Sequence, residues 1–164
     1  MDLGDFRRLF GDNIRAWMNW DLLQVSRVAI SARVITDRDK LGDLRTVWYE
    51  NRAGGPGDWR DAESTPLSVG EAVEHREFWT PQRRDRIDAF SSQYLRYTEP
   101  VLLTIPAYAT PRGALMLDST HRAAAAYLSK ADVRLLVIAI IGPISAEILP
   151  DLAHHNIIST ETRA

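Results

Sequence analysis

The chain has no cysteine among its 164 residues. Disulfides, thiolate metal sites, iron–sulfur clusters and cysteine nucleophiles are therefore excluded. A charge excess is missing too: 20 Lys and Arg stand against 22 Asp and Glu, a formal net charge of -2. Proteins that grip nucleic-acid backbones usually carry a basic excess, so nucleic acid is disfavoured as a partner and only a local basic patch stays open. Long hydrophobic runs are absent as well. The longest, Leu135 to Ile141, is far short of the ~20 residues of a membrane span. Met1-Asp2-Leu3-Gly4-Asp5 places acids where a secretory leader would place bases. The expectation is a cytoplasmic protein with no membrane partner.

What is present reads as a globular domain. Hydrophobic residues make up 45% of the chain and charged residues 26%, near the average for folded domains. From Asp5 to Leu23, Phe6, Leu9, Phe10, Ile14, Trp17 and Met18 recur at helical spacing, which predicts a helix with one apolar stripe. That stripe suits core packing or a homodimer contact. Gln24 to Thr36 is rich in β-branched residues with period-two alternation, the pattern of a strand. Asp37 to Lys40 reads as a charged turn, and Leu41 to Tyr49 as either a strand or a short helix. Asn51 to Pro66, with Gly54-Gly55-Pro56-Gly57 inside it, reads as a loop and a candidate internal boundary. The expected organisation is an N-terminal helix-strand extension over 1–64 packed on a domain over 65–158.

After a short mixed segment, Leu67 to Val73, Thr80-Pro81 is a strong helix start. That helix is expected to reach about Tyr97, with Ile87, Phe90, Tyr94 and Leu95 inward. Val101 to Ile105 reads as a buried strand, Pro106 to Arg112 as a turn-rich connection and Ala114 to Leu117 as a short strand. A helix is expected from about His121 to Leu128, then a hydrophobic strand from Val133 to Ile141. A weaker helix is expected over Ser145 to His155, with a frayed tail after Ile158.

The stretch with chemistry in it is Asp118-Ser119-Thr120-His121-Arg122-Ala123-Ala124-Ala125. A strand delivers the chain to Asp118, small residues turn it, and a helix opens. The free amides at a helix start carry partial positive charge. His121 and Arg122 add a switchable proton donor and a permanent cation at the same place, a combination suited to phosphate. Asp118 at the strand end is placed to hold a metal ion or orient a hydroxyl. The same residues also make an ordinary capping sequence.

Other candidates carry less. His154 and His155 are adjacent and lack metal-sharing spacing, and read as exposed tail residues. Ser119 lacks a glycine-flanked nucleophile elbow, and the glycine-rich loop lacks the lysine of a phosphate loop. Trp48, Tyr49, Trp59 and Trp79 suit loop packing, or stacking on a ligand.

Asp118-Ser-Thr-His121-Arg122-Ala-Ala-Ala resembles the Asp-Gly-x-His-Arg-x-x-Ala motif of the ParB/sulfiredoxin-like superfamily. Pro100-Val101-Leu102-Leu103 is similar to that family's "Pro-Ile-x-Val" phrase, and Val133 to Ile141 to its final strand. The resemblance spans roughly Thr65 to Ile141. It implies an α/β (α+β) fold, a small mixed sheet flanked by helices. One departure is Ser119 in place of the motif's glycine, costly if the turn needs a positive φ.

Within that superfamily, sulfiredoxin chemistry is excluded because Thr120 stands where the cysteine would be. A partition clamp is disfavoured by the slight acidity and the missing helix-turn-helix. The branch that remains resembles the free-serine kinases. That resemblance implies a nucleotide-dependent phosphotransferase acting on a small hydroxylated metabolite with ATP or ADP and Mg²⁺. It implies Glu77 as the base, with Glu74 a near alternative, and Asp118 as an assisting or Mg²⁺-binding carboxylate. His121, Arg122 and the amides of Ser119 and Thr120 would hold the phosphates. The alternatives are a non-catalytic nucleotide-binding or protein-interaction module, or another small-molecule enzyme on the same scaffold.

Overall fold

The computed structural model describes residues 1–156, so the expected frayed tail lies outside the described residues. The protein is a mixed α/β structure. In chain order its elements are α1 (Leu3–Phe10), α2 (Trp20–Val25), β1 (Ala29–Ile35), α3 (Arg38–Asp43), β2 (Arg45–Glu50), β3 (Thr65–Ser68), α4 (Val69–Glu74), α5 (Pro81–Tyr94), β4 (Val101–Thr110), β5 (Gly113–Met116), α6 (Thr120–Ser129) and β6 (Val133–Ile141). Short 3-10 turns occupy Arg76–Phe78 and Pro150–His155.

Six strands form one mixed sheet in the order β1-β6-β4-β5-β2-β3. β4 and β6 pair in parallel from Val101↔Val133 to Tyr108↔Ile140. β1 joins the far side of β6 antiparallel. β5 pairs antiparallel with β4, and β2 lies between β5 and β3. Two strands from the first 64 residues, β1 and β2, thus belong to the same sheet as the rest, and the glycine-rich loop connects neighbouring strands β2 and β3.

The sheet explains the hydrophobic patterns of its central strands. Val101, Leu103, Ile105 and Ala107 of β4, with Val133, Leu135, Val137 and Ala139 of β6, face a core closed by α3, α4, α5 and α6. The opposite face is covered only over its later half. There Tyr108, Ile138 and Ile140 pack under α1, α2 and the C-terminal segment through Phe6, Leu23, Ile148 and Leu152. Over the earlier half Leu102 and Leu136 remain exposed. β4 and β6 therefore begin with alternating burial and become buried on both faces before their last residues.

Several expectations change. The helix over Asp5–Leu23 is two short helices: α1 closes at Gly11, and α2 opens at Asn19, whose side chain accepts from the Leu22 amide. The break lets Met18 enter the core while Leu9 and Trp17 stay exposed. The strand expected from Gln24 starts at Ala29, because α2 takes Gln24 and Val25. Asp37 to Lys40 is no turn; Asp37 caps α3 by accepting from the Asp39 amide. Leu41 to Tyr49 resolves into the end of α3 and the start of β2.

α5 starts at the expected cap, with the Thr80 hydroxyl accepting from the Arg83 amide. It ends at Tyr94, which leaves Leu95 exposed rather than inward. Pro106 to Thr110, expected in a connection, continues β4. The Pro106 carbonyl accepts from the Leu117 amide, so its nitrogen faces the end of short β5 and the ladder to β6 loses no donor. The helix over Ser145–His155 is reduced to the 3-10 turn beginning at Pro150.

Candidate functional site

β5 carries the chain to Asp118, and the turn into α6 passes through Ser119 at φ 72° and ψ 13°. The position that the family motif gives to glycine is thus left-handed here, and serine occupies it under strain. Its hydroxyl accepts from Arg122 Nη2 at 2.9 Å, which compensates part of the cost. Arg122 also stands 3.7 Å from Asp118 Oδ2. The Ser119 carbonyl accepts from the Ala123 amide, closing the first helical turn. The amides of Thr120, His121 and Arg122 are then left without intrahelical partners.

That turn opens into a cavity of about 330 Å³ lined by Asp118, Ser119, Thr120 and His121 together with Trp48 and Asp151. Trp17 and Arg15, from the break between α1 and α2, Val47 of β2, and Trp59, from the β2–β3 loop, add to its walls. His121 packs edge-on against Trp48 at 5.4 Å. Burial first, then Arg86 and Arg83, push its pKa down to about 4, against the opposing pull of Asp118. At neutral pH it is therefore a neutral ring, not the cation expected beside a phosphate.

The second carboxylate, Asp151, comes from the C-terminal 3-10 turn. Tyr49 donates its hydroxyl to Asp151 Oδ1. Burial raises the Asp151 pKa above the usual carboxylate range, opposed by the Tyr49 hydrogen bond. Burial and this same pairing raise the Tyr49 phenol as well. His154 sets its ring nitrogens 3.1 Å from the Ser64 carbonyl oxygen and 2.7 Å from that of Trp59. It thereby ties the loop that carries Trp59 to the C-terminal turn.

The sequence-derived site residues divide. Asp118, Ser119, Thr120 and His121 meet in the cavity. Arg122 braces the turn from outside the lining. Glu77 is exposed in the Arg76–Phe78 turn, 3.0 Å from His75 Nδ1, and lines neither this cavity nor its smaller neighbour. His75 holds its carboxyl below the ordinary value. Glu74 is exposed at the end of α4. His154 and His155 are not tail residues: His155 is fully buried, and neither ring nitrogen has a hydrogen-bond partner among the described residues.

Asp151 and Arg15 were not legible as site residues, and Tyr49 was legible only for packing or stacking and not as the partner of Asp151, because only the folded sheet brings three distant segments to the turn. A smaller cavity of about 170 Å³ shares Val47, Trp48 and Trp59 with the first. Arg83 of α5 lies against it, its guanidinium 4.1 Å from the Trp48 ring centroid. Comparison with protein-family models, curated proteins and solved structures finds no match for the chain.

Proposed function

We propose that the protein binds a nucleotide in the larger cavity and transfers a phosphoryl group to a small hydroxylated acceptor. One observation carries this reading: free helix amides, two carboxylates and indole walls meet in a single cavity. The amides of Thr120 to Arg122 and the α6 dipole suit a phosphate group. The indoles of Trp48 and Trp59 in its walls suit a base or sugar. Phosphoryl transfer asks mainly for positioning and for neutralisation of charge on the phosphate oxygens.

Arg122 acts through the turn, holding the Ser119 hydroxyl and standing beside Asp118. Asp118 is partly exposed, with Arg122 held off at 3.7 Å, so its carboxylate is open to a hard cation such as Mg²⁺. The ion would supply further neutralisation of phosphate charge. Asp151 takes the part that the family resemblance gives to Glu77. It is oriented by Tyr49 and raised by burial towards proton-holding, as suits a group that accepts the acceptor's hydroxyl proton.

The test is calorimetric and thermal-shift titration with ATP, ADP and CTP, with and without Mg²⁺, followed by transfer assays on hydroxyl acceptors. Binding should raise the apparent stability, by about 2.7 kcal/mol at a hundredfold excess over Kd. Asp151→Asn should retain binding and slow transfer by about a hundredfold or more. Absence of binding by every nucleotide overturns the reading. A non-catalytic binding module is the second reading, favoured by the position of Glu77 outside the cavity and by the strained serine in the turn. It requires nucleotide binding without transfer, unchanged by Asp151→Asn.

A further inference from the structure

The two cavities adjoin as a larger and a smaller lobe, with Val47, Trp48 and Trp59 in the lining of both. The smaller lobe contains an unusual cation. Arg83 is partly buried and stacked on the Trp48 indole. Among the described residues no carboxylate lies within ion-pair distance of its guanidinium. Of the other half-buried arginines among the described residues, Arg45 and Arg122 each have a carboxylate partner and Arg38 donates to the Tyr127 carbonyl. Burial works against the Arg83 charge, and the Trp48 indole face offsets part of that cost. A desolvated charge without a partner is costly, and stacking leaves the in-plane N–H edge of the guanidinium free to donate.

A second basic group lines the same lobe. His75 stacks on Phe78 with ring centroids 4.6 Å apart. Glu77 at 3.0 Å and Glu50 at 3.8 Å favour its protonated form. The acid in the lining, Asp58, is already engaged by Arg60 at 3.1 Å. Glu77 and Glu50 thus engage the His75 ring, which leaves Arg83 as the cation of this lining with no carboxylate partner among the described residues.

We propose that the smaller lobe is a second anion site, in which Arg83 holds a carboxylate or phosphate group beside the His75–Glu77 pair. This goes beyond the phosphate reading at α6: the two lobes take two anionic groups across the Trp48 wall. They belong either to one elongated ligand or to two ligands bound together.

Imidazole NMR provides a separate reporter for each lobe, His75 for the smaller and His121 for the larger. Titration of the full chain with acetate and with inorganic phosphate should move the His75 signals. Arg83→Gln should weaken that response by about tenfold or more, the loss of one charge-assisted contact. Arg83→Lys should retain part of it. Well-dispersed amide spectra report that each variant is folded. ATP that moves both histidines and displaces acetate identifies one spanning ligand. ATP that moves His121 alone, with acetate still bound, identifies two. A silent His121 with a responsive His75 would overturn the α6 phosphate reading and leave the second site standing. A silent His75, or a response unchanged in Arg83→Gln, overturns the second site.

Discussion

Ser119 shows how one residue sets the geometry of the turn. Its φ of 72° belongs to the region where only glycine is free of penalty, yet the turn keeps its form because the side chain accepts from Arg122. At ordinary helical positions alanine is more stable than glycine by about 1 kcal/mol. Here the order should reverse. Ser119→Ala keeps the strain and loses the hydrogen bond, so Ser119→Gly should be the more stable of the two by about 1 kcal/mol in urea unfolding. Alanine equal to or above glycine would show that the turn is not held left-handed. The motif positions were legible in the sequence as a strand, a turn and a helix start. The strain was legible only as a condition, since a φ angle depends on how the strand and helix are anchored.

At the scale of elements, α6 approaches α3 and α4 closely because glycine stands at both contacts. A Cβ on Gly42 would meet Tyr127 Cε2 at 2.7 Å, and one on Gly70 would meet the Tyr127 hydroxyl at 3.3 Å. Arg38 lies over the Tyr127 ring at 3.8 Å and donates to the Tyr127 carbonyl, so the ring has little room to yield. Gly42→Ala should therefore destabilise the protein by about 1–3 kcal/mol, measured by chemical denaturation, with Gly70→Ala milder. Equal stability in Gly42→Ala would mean that α3 and α6 separate freely. Strand Val133–Ile141 and the Thr80 cap were plain in the sequence, because a strongly hydrophobic run and a Thr-Pro start carry their own local signal. The break at Gly11–Asn19 was not, because its apolar residues keep helical spacing while Met18 turns to the core and Trp17 to the cavity. Pro106 misled for a similar reason: its effect depends on which neighbour its nitrogen faces.

At the scale of the whole molecule, one buried and one half-buried histidine link folding to pH. Burial, then Arg112, Arg45 and neighbouring His154, push the His155 pKa down to about 4, and His121 is held as low. Each folded-state value lies below the unfolded value of about 6.5, so the unfolded chain binds more protons across that window. The stability they allow is complete above about pH 6.5 and is lost as pH falls towards about 4, at about 1.4 kcal/mol per pH unit for each fully neutral ring. Asp151 works in the opposite sense, because its carboxyl is raised in the fold. Urea unfolding from pH 8 to pH 4 should therefore show falling stability below about pH 6.5, with a shallower slope in His155→Phe. An unchanged slope in that variant would remove His155 from the account. Because the turn bearing His155 also carries Asp151 and, through His154, holds the Trp59 loop, acid should loosen the cavity before the central strands. Trp59 fluorescence followed through the same pH series measures this, and loss of that signal only at global unfolding would contradict it.

The sequence by itself determined the local events: the mixed α/β character, the hydrophobic central strands, the Thr80 helix start and the strand-to-helix turn at Asp118–Arg122. These follow from side-chain periodicity and from capping and turn preferences acting within a few residues. Tertiary structure alone decided that β1 and β2 share one sheet with the later strands, that Asp151 and Tyr49 meet beside the α6 turn, and that Glu77 stands outside the cavity. It also left Arg83 partly buried without a carboxylate partner. Those outcomes depend on which distant segments the sheet order brings together, and no local pattern encodes that distance.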